Sequence, residues 1–425
     1  MLDIKFIRDH KDIIKDAARK KMLSFDVDLL ISKDDERRAL QTLIDDKKSE
    51  QNKLGLFIAN PSHLGSGYQK EEVLGKMKVL KDEIKLEEEK LITIMKEWQE
   101  LMLSVPNIPD MSVPEGKSED DNVEYKTWGQ IPTFDFKVKD QIELCNDLGI
   151  ADFERGTKIA GFRGYVLKGA GARIQFALWQ FVNDFMINKG YDPMIVPSLV
   201  RRETLLGTGY LPQSEEDLYK TQDDTFLAGT GEVSAMSFYA GEVLEKADLP
   251  KKLVAFSTCF RREAGSHSKD TKGLIRVHEF YKVEQLILCE ASHEQSVNYH
   301  EELLKNAEEI MQALKIPHRV LLMCSADMGL GVVKKYDIEA WVPSQNTYRE
   351  THSASYFHDF QTRRLNIRYK DTDGKLRFAH SLNNTAIATP RILVPLLENY
   401  QQADGSIIVP DVLIPYMNGL KVIKK

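Results

Sequence analysis

Leu40, Leu43, Ile44, Leu54, Phe57 and Ile58 stand in a long run of Lys, Asp, Glu and Arg that opens at Ser32, a candidate N-cap. The breakers Asn60-Pro-Ser-His-Leu-Gly-Ser-Gly67 interrupt the pattern. Leu74, Met77, Leu80, Ile84, Leu91, Met95, Trp98, Leu101 and Met102 then resume it at three- and four-residue steps. Two helices of similar length, each apolar on a narrow stripe and joined by one short turn, predict an antiparallel coiled-coil hairpin over about 32–103. Lys47, Gln51 and Glu87 or Glu88 fall on or near the seam and weaken it, so the hairpin reads as an arm in solvent. On pattern alone such an arm is a dimerisation or spacer device. Ahead of it, residues 1–30 read as short amphipathic helices, with Ile4, Ile7, Ile13 and Ile14 available for packing.

The texture changes near residue 105. Pro106 to Pro114, the acidic run Ser118 to Asn122, and Pro132 form a linker, which divides the chain into a helical part, 1–105, and a body, 106–425. In the body Ala172–Ile187 has the spacing of an amphipathic helix, and Tyr191–Pro197 that of a short strand kept to an edge or bend by its prolines. Strand-like runs recur at Lys252–Phe256, Ile275–Leu288, Arg319–Met323 and Leu365–Tyr369, and helices at Val233–Glu245, His293–Leu314 and Pro390–Asn399. Strands joined by hairpins with helices between the blocks predict an α+β body built on an antiparallel sheet, and argue against a doubly wound parallel one.

Several classes are excluded. A formal charge of -7 gives no strong non-specific pull on nucleic acid, so an RNA partner must be met by local patches. Cys145, Cys259, Cys289 and Cys324 are scattered without metal-ligand spacing, as in a reducing, cytoplasmic setting. No apolar run approaches the roughly 20 residues that span a bilayer, and the N-terminus is charged too early for a signal peptide. The P-loop lysine, the Gly-x-Ser-x-Gly elbow and the His-Glu-x-x-His zinc pair are all missing, and no covalent nucleophile stands out.

The chemistry concentrates between Leu253 and Glu284. Side chains on a strand alternate faces, so Arg261 and Glu263 point one way and Phe260 and Arg262 the other. On the returning strand the same rule gathers Arg276, His278, Phe280, Lys282 and Glu284. Arg for phosphate, Phe for stacking and carboxylates for amines suit a flat, anionic ligand with polar edges. A solvated sheet face with a charged loop accounts for this stretch equally well.

Other stretches break that tie. Ala228-Gly-Thr-Gly-Glu232, the Phe260–Glu284 pair, Arg349-Glu-Thr-His-Ser353, Phe360–Tyr369, His380–Arg391 and Leu397–Gly405 resemble the seryl-tRNA synthetase family in order and spacing, and the resemblance runs from Met1 to Met417. It implies a class II synthetase body behind an N-terminal helical hairpin. The helix ending at Gly190 with the strand to Pro197 is similar to motif 1, which lies at the dimer interface. Phe260–Phe280 is similar to motif 2 and Leu382–Asn399 to motif 3.

The resemblance also implies roles. Arg261 binds the α-phosphate of ATP and the serine carboxylate, and Arg391 is the second catalytic cation. Glu263 accepts from the adenine amine, Phe280 stacks beneath the ring and Arg391 covers it. Arg262, Thr351 and His352 belong to the ATP-binding segments, and Val277 offers backbone contacts. Glu350 and Ser353 hold Mg²⁺ on the triphosphate. Thr230 and Glu232, flanking Gly231, hold the serine ammonium, while Glu284 and Thr385 read its hydroxyl. The departures from the family are Gly231 for Ala or Ser, Thr351-His352 for Ile-Ser, and Asn384 for a glycine. If that glycine serves a backbone conformation other residues dislike, Asn is the least costly substitute. Structural roles compete: Glu232 or Thr385 as helix caps, and Glu284 in a strand-face ion pair near Lys282.

The implied activity is ATP-dependent conversion of L-serine to seryl-adenylate and transfer of the seryl group to tRNA(Ser), leaving tRNA(Sec) open as a second acceptor. The implied enzyme is a cytoplasmic homodimer that grips tRNA with its arm. Two alternatives are a ligase charging a carrier protein and a non-catalytic RNA-binding paralogue. The arm argues against the first. The joint presence of Arg261, Glu263, Phe280, Glu350 and Arg391 argues against the second.

Overall fold

The computed structural model describes residues 2–59, 70–266 and 270–425. The breaker segment Asn60–Gly67 and residues His267–Lys269 lie outside them. The chain forms two compact units, residues 2–19 with 23–106 and residues 20–22 with 107–425.

The helical unit holds α1 (Ile4–Asp9), α2 (Lys11–Lys20), α3 (Val27–Ala59) and α4 (Lys70–Leu103). Helix α3 begins ahead of the expected Ser32. The Asp26 carboxylate accepts from the Asp28 and Leu29 amides at 3.0 Å each, so the cap is set upstream and Ser32 falls inside the helix. Ile44, Phe57, Val73, Leu80, Ile84 and Met102 are buried along the α3–α4 pair. Lys33–Glu97 at 2.9 Å and Lys47–Glu83 at 3.1 Å bridge the helices, fourteen residues apart on each, which is two heptads in one register. Of the seam positions expected to weaken the pair, Lys47 is partnered by Glu83, Glu88 by Lys48, and Glu87 by Lys90 of the same helix. Exposed pairs of this kind contribute little to stability, so they select register while the apolar stripe supplies it.

The body is organised on an eight-stranded sheet: β1 (Val123–Trp128), β2 (Asp192–Ile195), β3 (Lys251–Phe260), β4 (Glu279–Cys289), β5 (His318–Leu322), β6 (Lys334–Val342), β7 (Thr347–His358) and β8 (His380–Thr389). Their order is β1-β5-β6-β7-β8-β4-β3-β2. Every neighbouring pair is antiparallel except β2–β3. The main helices are α5 (Ala170–Asn188), α6 (Gly231–Ser237), α7 (His293–Ala313) and α8 (Leu393–Asn399).

Strand β4 sorts the body by the parity of its residues. Val283 and Ile287 enter the main core with Ile174 and Leu178 of α5, Leu303 and Ile310 of α7, and Leu396 of α8. Leu286 and Leu288 turn the other way and join a second core with Ala235 and Met236 of α6. Each such buried side chain contributes about 1.5–3 kcal/mol, so the register is strongly fixed. Phe280, Lys282 and Glu284 share the parity of Leu286, on the face opposite the main core.

Several boundaries differ from the sequence reading. The strand expected from Ile275 begins at Glu279, so Arg276 and His278 precede it and do not share its alternation. His278 instead has Nδ1 2.8 Å from the Tyr219 hydroxyl. The helix expected over Val233–Glu245 is α6, a turn with Gly241 at φ 81°, and a short strand, Val243–Glu245. Leu365 ends a helix from Phe360, closed by Asn366 at φ 55°. Thr385 lies within β8, which excludes its role as a helix cap. Asn384 is also in β8 without a positive φ, so the conformational argument for its glycine does not apply. Its amide donates to the Leu303 carbonyl of α7 at 2.8 Å, on the main-core side of the sheet. Among the described residues no helix is long and apolar enough to cross a membrane.

Candidate active site

Arg261 follows directly on β3, and its amide donates to the His278 carbonyl at 3.0 Å. Its Nε donates to the Gly229 carbonyl at 3.2 Å, and the guanidinium carbon sits 5.4 Å from the centre of the Phe280 ring. A hydrogen bond on one side and a ring face on another fix the plane of the cation. Glu263 has φ 55°, a costly conformation for a residue with a Cβ, and pairs with Arg276 at 2.8 Å. Arg262 is turned away: its side chain donates to the Glu216 carbonyl at 3.1 Å and its amide to that of Asp217. It anchors the loop and does not share the surface of Arg261. Val277 is buried, so its side chain is not presented to a ligand.

Arg391 lies in the turn before α8. It donates from Nε to the Ile275 carbonyl at 3.0 Å, and its Nη1 is 3.6 Å from the Glu350 carboxylate. Half of the Glu350 side chain is exposed; its partial withdrawal from water raises the pKa, but Arg391, Lys335, Arg261 and Arg276 together outweigh this and hold the group below its ordinary value. Ser353 faces Asp337 across β6–β7, and burial pushes the Asp337 carboxyl up to about 6 against the opposing Lys335, 3.0 Å away. Oδ1 of Asp337 is buried without a hydrogen-bond partner.

A β-bulge separates Glu350 from Thr351 and His352, since Glu350 pairs with Glu339 and His352 with Ile338. Thr351 and His352 are both buried, 2.8 Å apart through Oγ1 and Nδ1. His352 Nε2 donates to the Ala386 carbonyl at 3.1 Å, and burial holds its pKa down to about 4. This neutral imidazole fills the space behind the site, so neither side chain is presented to a ligand. The departure from Ile-Ser is a packing solution.

The other end is acidic. Thr230 caps α6 through Oγ1, which accepts the Glu232 amide at 3.3 Å. The Glu232 carboxylate is not a cap: it accepts from the Tyr210 hydroxyl at 2.9 Å and from Gln361 at 2.6 Å. Burial, reinforced by Glu284, pushes its pKa up to about 7. Glu284 is 2 % exposed and lies 2.5 Å from the Lys282 ammonium; burial raises its pKa against the pull of that cation. The ion pair suspected from the sequence is therefore present. Thr385 lies directly across from Glu284 on β8. A Cβ on Gly231 would come 2.9 Å from the Ser257 hydroxyl and 3.6 Å from Glu284 Cβ, so an alanine there needs only a rotation of Ser257.

The two ends act on one another. Arg261 lowers the pKa of Glu284 and is itself influenced by Glu350 and Glu263, while Arg391 is influenced by Glu350, Arg261 and Glu263. The surface offers cations and a ring face at one end and a carboxylate pair at the other, as an amino acid joined to a nucleotide requires. Covalent catalysis by thiolate has no support: all four cysteines are buried, and burial pushes Cys145 and Cys289 up to about 12. Among the described residues no group of three or more His, Cys, Asp or Glu is arranged to hold a metal ion. Tyr210, Gln361, Lys335 and Asp337 were missed by the sequence reading, because distant segments bring them to the site.

A cavity of about 680 Å³ lies on the other face of β3 and β4, lined by Phe260, Tyr281, His278, Phe176 and Trp179.

Two family models match the chain. One is the seryl-tRNA synthetase N-terminal domain, over residues 1–109. The other is the tRNA synthetase class II core domain for G, H, P, S and T, over residues 216–400. A serine--tRNA ligase of Deinococcus radiodurans is 47 % identical over 427 residues, covering 100 % of this chain and 99 % of that one. One from Fervidobacterium nodosum is 42 % identical over 426 residues with the same coverage. The crystal structure of seryl-tRNA synthetase from Pyrococcus horikoshii complexed with ATP superposes with a TM-score of 0.90 at 38 % identity, covering 100 % of this chain and 99 % of that one. The cytoplasmic serine-tRNA ligase of Naegleria fowleri in complex with AMP gives 0.86 at 33 % identity with equal coverage.

Proposed function

The chain belongs to the seryl-tRNA synthetase family, and on that premise we propose how the surface around Arg261 and Glu284 does the work of a serine--tRNA ligase. The enzyme activates L-serine with ATP and passes the seryl group to tRNA(Ser). The observation that carries the assignment of roles is the continuity of Arg261 on Phe280 with the Thr230, Glu232, Glu284 and Thr385 cluster.

Adenine stacks on Phe280 under Arg391, and Glu263 accepts from its exocyclic amine. Arg261 draws the serine carboxylate and the α-phosphate together. A carboxylate oxygen forms the new bond to the α-phosphorus as the bond to the bridging oxygen breaks, and pyrophosphate leaves with that electron pair. A terminal ribose hydroxyl of tRNA then attacks the acyl carbon, the bond from that carbon to the phosphate oxygen breaks, and AMP departs with the electron pair while the hydroxyl proton passes to the leaving phosphate. Neither step calls for an enzyme nucleophile; positioning and charge stabilisation suffice.

Thr230 and Glu232 take the ammonium, and Glu284 with Thr385 the hydroxyl. Glu350 and Ser353 present oxygen donors beside the buried Asp337, the donor class that suits Mg²⁺, which would neutralise phosphate charge there. The helical arm grips the tRNA. A cytoplasmic location belongs to the same proposal.

The test is pyrophosphate exchange without tRNA, run with serine, alanine and threonine. Serine supports exchange. Alanine is rejected by roughly 10⁴–10⁵, because it strands the groups that read the hydroxyl, and threonine is excluded by size. Exchange without charging of tRNA(Ser) would favour the carrier-protein ligase.

The working form is a homodimer. Phe176 on α5 and Ile195 on β2 are 63 % and 87 % exposed, and Phe176 borders the aromatic cavity. Large apolar side chains left bare in this way fit a second copy of the chain. Sedimentation equilibrium at micromolar concentration will give twice the mass of one chain, and Phe176→Glu combined with Ile195→Asp will halve it. A wild-type monomer would refute the dimer.

A further inference from the structure

Glu232 and Glu284 are two buried carboxylates at the amino-acid end of the site, and a cation is buried beside them. The Lys282 ammonium lies 2.5 Å from Glu284 Oε2. We infer that Lys282 is a positioning residue for serine, holding one oxygen of Glu284 so that the other faces the substrate hydroxyl, and balancing the carboxylate pair so that one substrate ammonium completes it. This rests on the serine-binding reading of Glu232 and Glu284.

The geometry is built for such a contact. Lys282 and Glu284 alternate onto the same face of β4, and their partners across β3 are Ser257 and Ala255. Small side chains opposite leave room for the lysine stem to arch over to the carboxylate. Glu232, by contrast, already accepts from Tyr210 and Gln361, which are neutral donors and leave its charge uncompensated.

The charges around Lys282 lead to the same role. Glu284 lies on its own strand, Glu232 on α6, Cys259 on β3 with Arg261 just beyond its end, His352 on β7, and Tyr210 beside Glu232. Burial keeps the Cys259 thiol and the Tyr210 hydroxyl protonated and His352 neutral. Four charges remain: two carboxylates, Arg261 and Lys282. Arg261 is matched by the serine carboxylate and the phosphate. The substrate ammonium can match one carboxylate, and Lys282 matches the other. Without Lys282 the pocket carries an uncompensated buried carboxylate, which is relieved most cheaply by taking up a proton.

An ammonium binds well only to ionised carboxylates, and the Glu232 pKa is already pushed up to about 7 by burial and Glu284, with Lys282 opposing. Removing Lys282 raises it further, so serine binding weakens at a higher pH than in the wild type.

Lys282→Met, Lys282→Gln and Lys282→Arg are compared with wild type by pyrophosphate exchange from pH 6 to pH 9, varying serine and alanine and, separately, ATP. Lys282→Met raises the serine KM at least about 30-fold at pH 7, as removing one partner of a buried charge pair does. The ATP KM changes by less than about twofold, and the acid limb of serine binding moves up by roughly one pH unit. The preference for serine over alanine falls. Lys282→Arg keeps the charge and hence the acid limb. Lys282→Gln reads the same quantities should the Met variant fail to fold. A lysine that merely supports the fold would lower the active fraction, and so kcat, without moving the serine KM or the acid limb; that outcome overturns the inference. Wild type showing no serine-dependent exchange would instead overturn the serine reading itself.

Discussion

Arg261→Ala lowers kcat/KM for serine-dependent pyrophosphate exchange by at least about 10³-fold while the protein still folds. In the proposed mechanism the guanidinium serves both reactants, so its loss strands a carboxylate and a phosphate at once. Its position is over-determined, with the Gly229 carbonyl at Nε, the Phe280 ring beneath it and the backbone tied to His278. Such preorganisation makes the group worth more in the transition state than in the ground state. The core does not depend on it: none of its partners is a member of the two main hydrophobic clusters. Arg261→Lys tests the fork, since an ammonium restores charge without bidentate geometry, and it recovers only a small part of the loss. A fall of less than about tenfold for the alanine variant would remove Arg261 from the chemical step.

Much of this site was legible because the sheet alternates. Phe280, Lys282 and Glu284 occupy one face by their spacing alone, and they do so in the structure. The same rule failed for Arg276 and His278, which lie before the strand starts, where period two has no force. Thr351 and His352 are both buried where a bulge in β7 interrupts the alternation. A bulge of one residue leaves no mark on a hydrophobic pattern. Tyr210 and Gln361 were invisible for a different reason: they reach Glu232 from 22 and 129 residues away, and no local spacing encodes such a meeting. The arm was legible in its helices and misread at its start, since Asp26 and Ser32 are both acceptable caps and the chain uses the earlier one.

Shortening the arm separates the two half-reactions. Replacing residues 45–85 with a short Gly-Ser turn joins α3 to α4 near Ile44 and keeps the Lys33–Glu97 bridge, the Arg37 guanidinium over Trp98, and the Arg8–Asp34 pair. The remainder of the helical unit therefore retains its own packing. Pyrophosphate exchange stays within about twofold of wild type, because the residues assigned to serine and ATP all lie beyond residue 200, whereas kcat/KM for charging tRNA(Ser) falls by roughly 10²-fold or more. Point variants test the proposed RNA-binding surface more finely. Lys47, Lys48 and Lys76 already face Glu83, Glu88 and Glu72. Lys53, Lys78 and Lys81 are exposed and carry no ion pair among the described residues, as do Lys85 and Lys96, so they are free to meet phosphate. Changing Lys53, Lys78 and Lys81 to alanine weakens tRNA binding and flattens its dependence on salt, by about 0.7–0.9 in the logarithmic slope for each phosphate that no longer meets a lysine. Serine-dependent exchange is untouched by the same changes. A shortened arm that abolished exchange as well would show that the hairpin is needed for the fold, and an unchanged salt slope would assign RNA binding to other residues of the arm.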